Sequence, residues 1–551
     1  MSLSDLHPIA ELRRREAHYF DSATVLPNAK RILLYSVDPW QLGLVEQFLH
    51  LAFQLRGHLP TSIYYDGLLP VCGWENHWVK APPVETLKRR AEFIFESLQI
   101  PAIGISSFLD RATAQGRAEV IVDSLSCGEW KGLVYRKIRV GQIAIRDLTQ
   151  YSMGYFEVLN DADEADYRRH MIHAIMSVDL AYAIIHRQKP DIVVLVNGKL
   201  VMYSYMYEVA RHLGVEVTTW EEGMYSDRAI RLAHNARAID FSFEPEVWAA
   251  YQRLPRNPIA IRKVEDYFAR WRGQSATFYT YYAGEIRDVE RIRRELGLAA
   301  DGRIISIFTN IVWDSNALDK DDAFESMMDW VFTTIDYTAA APGTTLIIRA
   351  HPGEFKCAFR TRTTVRAMIV NRYGYIPHHL RMVDGESELS SYEIARMSDR
   401  CAVYTSTLGV EFILMGLQPL ICGVPYYSRQ GFTNDVIRKS HYARLVSGVD
   451  VPRASKAELL KRFMYLVIFK LLKHPEFIVG MHATPQQPRI HLDTFEGFPT
   501  SMPEFNTIVN RILDRKSFIN LTDEQVPSMD LPTQRIAIAT NCRQTPAGIG
   551  G

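Results

Sequence analysis

Apolar residues along the chain fall into two alternating patterns. Short continuous runs such as Arg31-Ile-Leu-Leu-Tyr-Ser-Val37 and Asp191-Ile-Val-Val-Leu-Val196 lack the in–out alternation of a half-buried strand, which predicts parallel strands covered on both faces. Between them lie longer amphipathic stretches, Gln41 to Arg56, Ala165 to Gln188 and Leu200 to Leu213, which read as helices. Pro190 follows the second and Gly214 the third, each an ordinary stop signal. Thr61 to Tyr65 and Val215 to Trp220 are further strands of this series. After a charged helix, Gly284 to Leu296, and a linker, Gly297 to Gly302, the pattern restarts. Strands Arg303 to Phe308, Thr345 to Arg349, Cys401 to Tyr404 and Pro419 to Cys422 alternate with helices Asp322 to Ala339, Ser391 to Ser398 and Gly409 to Met415. Strand–helix alternation repeated in this way predicts an α/β protein with two doubly wound domains, residues 1–298 and 299–455. Helices in 456–519 are expected to pack back across both, and 520–551 to form a disordered tail.

Composition narrows the function classes. Lys plus Arg and Asp plus Glu both number 63 in 551 residues, so a nucleic-acid protein built on a broad basic face is excluded. A hydrophobic content of 47% suits a full-sized core rather than disorder. The six cysteines are scattered with no metal-ligand spacing, as in a reducing compartment. The longest apolar run, Phe463 to Phe469, falls well short of the roughly 20 residues that span a bilayer. With no apolar stretch near Met1, a cytoplasmic location is expected.

In doubly wound sheets, ligands bind beyond the carboxyl ends of the strands, and four unusual clusters fall there. Glu221-Glu222-Gly223 follows a strand; adjacent carboxylates in a cleft can have a raised pKa suited to a general base, though a solvated acidic turn is the plainer use of such residues. Arg349-Ala350-His351-Pro352 runs from a strand into a proline that fixes the backbone; a protonated His351, with Arg349 adding charge, is suited to stabilising a departing phosphate. Thr405-Ser406-Thr407-Leu408-Gly409-Val410-Glu411 offers hydroxyls and amides where a helix begins, suited to phosphate or to simple capping. Asn310 and Asp314 belong to the loop after the first strand of the second series.

These motifs in order, Val196-Asn197-Gly198-Lys199, Glu221-Glu222-Gly223 with Arg228, His351-Pro352, Thr405 to Glu411 and Gly416 to Tyr427, resemble bacterial capsule polysaccharide biosynthesis proteins. That family looks like GT-B glycosyltransferases, the group that includes Kdo transferases and is similar to bacterial sialyl- and polysialyltransferases. The resemblance covers about 190–235 and 303–435. It implies two Rossmann-type domains with a cleft between them and a sugar transferred from a nucleotide-linked donor, CMP-linked favoured. Glu221 would be the base, with Glu222 the alternative; His351, Ser406 and Thr407 would hold the leaving phosphate. Arg349, Asn310 and Gly409 would complete the nucleotide site, and Glu411 or Glu393 would meet the ribose. Asn197, Arg228 and Asp314 would line the substrate cleft. Many Kdo-transferase relatives carry Glu-Arg-Gly-Phe where this chain has Glu221-Glu222-Gly223-Met224, so the donor sugar does not follow. The acceptor would be a glycan or lipid-linked glycan. No cofactor is implied, and with no Asp-x-Asp at a strand end, transfer is expected to be metal-independent. A nucleotide-sugar 2-epimerase and a catalytically silent assembly protein share the architecture and stay open. Lys456, Lys461, Arg462, Lys470 and Lys473 suggest either peripheral contact with the inner membrane or the solvated side of a bridging helix.

Overall fold

The structure, a computed structural model, describes residues 3–37, 44–73, 75–156, 159–226, 228–241, 243–273, 285–356, 360–478, 492 and 502–521. The apolar runs form two six-stranded sheets. The first contains β1 (Arg31–Tyr35), β2 (Leu59–Tyr64), β3 (Ala102–Gly104), β4 (Ile192–Val196), β5 (Glu216–Glu222) and β6 (Ile230–His234), in the order β3-β2-β1-β4-β5-β6. All its pairings are parallel except β5 with β6. The second contains β7 (Arg303–Phe308), β8 (Thr344–Arg349), β9 (Leu380–Val383), β10 (Arg400–Val403), β11 (Leu420–Ile421) and β12 (Asn434–Asp435). Its order is β12-β11-β10-β7-β8-β9, parallel throughout. Counted from its own first strand, each sheet has the Rossmann order 3-2-1-4-5-6. The chain reverses direction across the sheet between β1 and β4 and again between β7 and β10, which creates a crevice at each place.

Local chemistry shifts several boundaries. The long helix begins at Asp161 rather than Ala165 because the Asn160 carboxamide accepts the amides of Ala162 and Asp163, both at 3.0 Å. The helix expected from Asp322 begins at Met327, where Ser326 Oγ accepts the Asp329 amide at 3.1 Å. Residues 309–326 are thereby left as a long loop directly after β7.

The carboxyl-terminal elements return to the first domain. The helix Ala457–Leu466 and its π-turn Val467–Leu471 bury Phe463, Leu466 and Val467 against the helix Pro258–Gly273. Lys473 and Ile230 exchange two backbone hydrogen bonds of 2.8 Å, and Phe477 stacks on Phe48 with ring centroids 4.3 Å apart. The helix Pro503–Asp514 then joins the core of the first domain. Lys461 pairs with Glu265 at 2.5 Å, Arg462 donates to the carbonyls of Tyr251 and Leu254, and Lys473 is buried. Arg462 and Lys473 are thus engaged within the protein, and Lys461 is held in a surface ion pair. Ile519 and Leu521 lie in the second core; residues 522–551 of the expected tail lie outside the described residues.

Candidate active site between two strand edges

Glu221 and Glu222 end β5, where antiparallel pairing sets Glu221 opposite Arg231 and Glu222 opposite Ile230. Buried Arg231 is held by the carbonyls of Ala238 and Glu222 and by stacking on Phe241. Burial pushes the Glu221 pKa above the usual carboxylate range; Arg231 opposes this and Glu222 reinforces it. One Glu221 oxygen accepts the Glu222 amide at 3.0 Å, and the nearby Asn197 side chain also favours the charged form. Asn197 follows β4 in a left-handed turn, with φ of +37° at Asn197 and +76° at Gly198. Its carboxamide oxygen caps the amides of Lys199 (2.8 Å) and Leu200 (3.0 Å), and its own amide donates to the Trp220 carbonyl at 2.8 Å. The residue before Glu221 is thus tied directly to this turn. Arg228 is exposed further along the loop.

The second crevice gathers hydroxyls and amides. Asn310 follows β7 and Thr405 follows β10; the Asn310 side-chain oxygen accepts the Thr405 amide at 3.1 Å, locking the two loops together. Ser406 Oγ accepts the Leu408 amide at 3.3 Å, Tyr427 donates its hydroxyl to the Ser406 carbonyl, and Thr407 precedes the helix Leu408–Leu414. A Cβ on Gly409 would lie 2.2 Å from the Tyr427 hydroxyl oxygen, so this glycine allows the close approach on which the Tyr427 contact depends. Glu411 is buried and accepts the Tyr392 hydroxyl at 2.6 Å, whereas Glu393 pairs with Arg396 at 2.5 Å.

Two residues differ from their sequence expectation. His351 Nδ1 accepts the Gly353 amide at 3.0 Å, which leaves the ring proton on Nε2. Burial, aided by Arg349, lowers the His351 pKa to about 4. At neutral pH it is an uncharged N–H donor, not the protonated histidine expected. Arg349 is buried, and its guanidinium donates to the carbonyls of Asp384 and Ser387 and to Ser391 Oγ. Its charge stabilises the 384–391 loop.

Contacts between the domains turn these edges toward one another. The Tyr225 hydroxyl, just past Glu221-Glu222-Gly223, bonds that of Tyr426, and the Tyr225 carbonyl accepts the Tyr267 hydroxyl at 2.7 Å. Lys199 Nζ donates to the carbonyls of Ser315 (2.7 Å) and Leu318 (2.6 Å), Arg146 pairs with Asp319 at 2.9 Å, and Lys320 pairs with Asp240 at 2.8 Å. On another side Trp78 Nε1 donates to the Arg360 carbonyl at 2.8 Å, and Arg362 pairs with Asp163 at 2.6 Å. Asp314 accepts the Asn316 amide at 2.9 Å; burial raises its pKa while Lys199 opposes the shift. Asn197, Glu221 and Asp314 are therefore linked through the Lys199 turn, and Asn310, Ser406, Thr407 and Gly409 form the second group. His351 follows β8, the strand beside β7, and Arg228 joins neither group.

Sequence reasoning assigned no role to Arg146, Lys199, Tyr225, Asp319 or Tyr426. Only Lys199 carried a signal, a cation directly behind a strand and an Asn-Gly turn. Asp319-Lys320-Asp321 has Asp-x-Asp spacing, but Asp319 goes to Arg146 and Asp321 accepts the Tyr404 hydroxyl. Among the described residues, no three His, Cys, Asp or Glu side chains cluster as metal ligands.

Two Rossmann-type domains face each other across a cleft, and the chain returns to the first at its carboxyl end; this is the GT-B arrangement. Solved structures similar to the chain include KpsC, a beta Kdo 2,4 transferase from Thermosulfurimonas dismutans. The identity is 12%, over 52% of this chain and 82% of that one, with a TM-score of 0.31. The spinosyn rhamnosyltransferase SpnG is 10% identical over 80% of this chain and 95% of its own, at a TM-score of 0.23. A putative UDP-N-acetylglucosamine 2-epimerase from Listeria monocytogenes is 11% identical over 92% and 99%, at 0.22. No family model and no curated protein matches the sequence.

Proposed function

We propose that the protein transfers a sugar from a nucleotide-activated donor, CMP-linked in the favoured case, to a hydroxyl of a bacterial capsule or other surface glycan. The observation that carries this reading is a carboxylate of raised pKa, Glu221, on one strand edge, with the other edge offering uncharged hydroxyl, amide and imidazole donors. Glu221 takes the proton of the acceptor hydroxyl as its oxygen bonds to the sugar's anomeric carbon. The bond from that carbon to the phosphate oxygen breaks, and the phosphate leaves with the electron pair. His351 Nε2–H, Ser406 and Thr407 stabilise the charge that collects there, with no metal required in this scheme. Asn310 and Gly409 shape the phosphate loop, Glu411 faces the ribose, and Asn197 and Asp314 stand on the acceptor side. Glu222 is the alternative base. Peripheral contact with the inner membrane would be an addition to this reading; of the five cations that suggest it, Arg462 and Lys473 are engaged within the protein and Lys461 pairs with Glu265.

The test is a thermal-shift panel of CMP, UDP, GDP and dTDP, with and without Mg²⁺. A shift with CMP that is insensitive to metal is the expected result, and no shift with any nucleotide overturns the reading. Conversion of a donor sugar with no acceptor present would identify an epimerase instead.

A further inference from the structure

The 313–321 loop of the second domain is engaged by the first at several points. Two of its carbonyls, Ser315 and Leu318, hold the Lys199 ammonium; Asp319 holds Arg146 and Lys320 holds Asp240. Lys199 is only 1% exposed, and Arg146, Asp240, Asp314, Asp319 and Lys320 are the charges around it. A cation buried between two domains is a reversible fastener. Desolvating it costs free energy that the carbonyls and carboxylates roughly offset, so the closed state gains little over an open one in which water solvates the ammonium.

Lys199 is also covalently part of the turn that reaches the candidate base. Asn197 caps the Lys199 amide at 2.8 Å, donates its own amide to Trp220 at 2.8 Å, and approaches Glu221 with its side chain. The left-handed backbone at Asn197 and Gly198 leaves this turn little freedom. The Gly198 carbonyl is held by Arg237 at 3.0 Å, and a Cβ on Gly198 would crowd Tyr207 at 3.0 Å. Movement at the Lys199 end is therefore transmitted to the Asn197 end.

We propose that Lys199 is a positioning residue: by docking on the main chain of the 313–321 loop, its ammonium couples closure of the cleft to the placement of Glu221 through the Asn197–Leu200 turn. The coupling to Glu221 rests on the transferase reading above; the docking itself does not.

The two halves are tested separately. Amide hydrogen exchange is first measured on the full-length protein without substrate. Lys199→Met, which keeps the stem and removes the charge, should raise exchange in 313–321 and 197–200 by about tenfold, a loss of roughly 1.4 kcal/mol of local protection. Lys199→Arg should restore most of the protection. Asp319→Asn alters a carboxylate that is 48% exposed, so it serves if Lys199→Met does not fold, and it should loosen the same loop to a lesser degree. Wild-type exchange in both charge-removing variants would overturn the docking. Transfer is then measured with the nucleotide donor that the thermal-shift panel selects. Lys199→Met should lower kcat by about 10²-fold while leaving the nucleotide shift intact, and Lys199→Arg should recover it. Loosened exchange with unchanged kcat would overturn the coupling. Loosened exchange in a protein whose wild type transfers no sugar would leave the docking standing and remove the transferase reading.

Discussion

The two strand edges that face each other have the same topology and opposite chemistry. In the first domain, the residues beyond β4 and β5 concentrate charge: Glu221 and Glu222 end the strand, Arg231 stands opposite, and buried Lys199 follows the neighbouring strand. In the second domain, Asn310 beyond β7, His351 beyond β8, and Ser406 and Thr407 beyond β10 offer hydroxyls, amides and a neutral imidazole, and Arg349, at the end of β8, is spent on loop carbonyls. The strand order of a Rossmann sheet dictates where a crevice opens, but not what fills it. In the proposed reaction, the first crevice would take the proton and the second would receive the negative charge.

The largest expected effect tests the first edge. Glu221→Gln should lower transfer by about 10²–10⁴-fold while the thermal shift with nucleotide persists. If the rate stays within tenfold of wild type, the proton leaves by another route and Glu222→Gln becomes the deciding variant. A somewhat smaller effect tests the second edge. His351→Ala should cost about 10²–10³-fold, as for loss of one donor to a developing anion. Since His351 is neutral, His351→Gln, which keeps an uncharged N–H, should recover part of that loss; rescue only by His351→Lys would show that a positive charge is needed.

The smallest effect separates the domains by their response to acid. In the first domain burial lowers the pKa of His50 and His173 to about 3 and of His170 and His234 to about 4, while that of Asp147 is raised to about 7. In the second, His351 is lowered to about 4, while Glu354 is raised to about 7 and Asp321 to about 6. A histidine with a depressed folded pKa binds more protons when unfolded, so its domain loses stability as pH falls from about 6.5 toward that pKa. A carboxylate with a raised folded pKa does the reverse and adds stability as pH falls through that value. Each fully shifted group contributes at most about 1.4 kcal/mol per pH unit. Between pH 7 and 5 the histidine-rich first domain should therefore lose protection, and the second should hold or gain it. Domain-resolved hydrogen exchange checks this; parallel loss in β4 and β7 would break the contrast.

Much of the fold is legible because it is written in short-range patterns. β4 and β7 are apolar runs buried from end to end or nearly so, and Pro190 and Gly214 close the helices that flank β4. Errors fell where a single side chain outweighed the pattern, as when Asn160 started the long helix four residues early and Ser326 delayed the next domain's first helix. At the site, the identity of strand-end residues such as Glu221, His351 and Ser406 could be read, but not their state. Arg349 beside His351 could be read, but nothing nearby in sequence reports that burial keeps the imidazole neutral, or that Asp384, Ser387 and Ser391 occupy the Arg349 guanidinium. Lys199 is the extreme case, because its partners lie 116 and 119 residues away. By itself the sequence determined the α/β alternation, the two-domain division and the loops where chemistry collects, because periodicity, capping and chain stops act over a few residues. Strand order, the neutrality of His351, the commitment of Arg349 and the docking of Lys199 were decided only by tertiary structure, because burial and charge pairing depend on groups that the chain brings together from far apart.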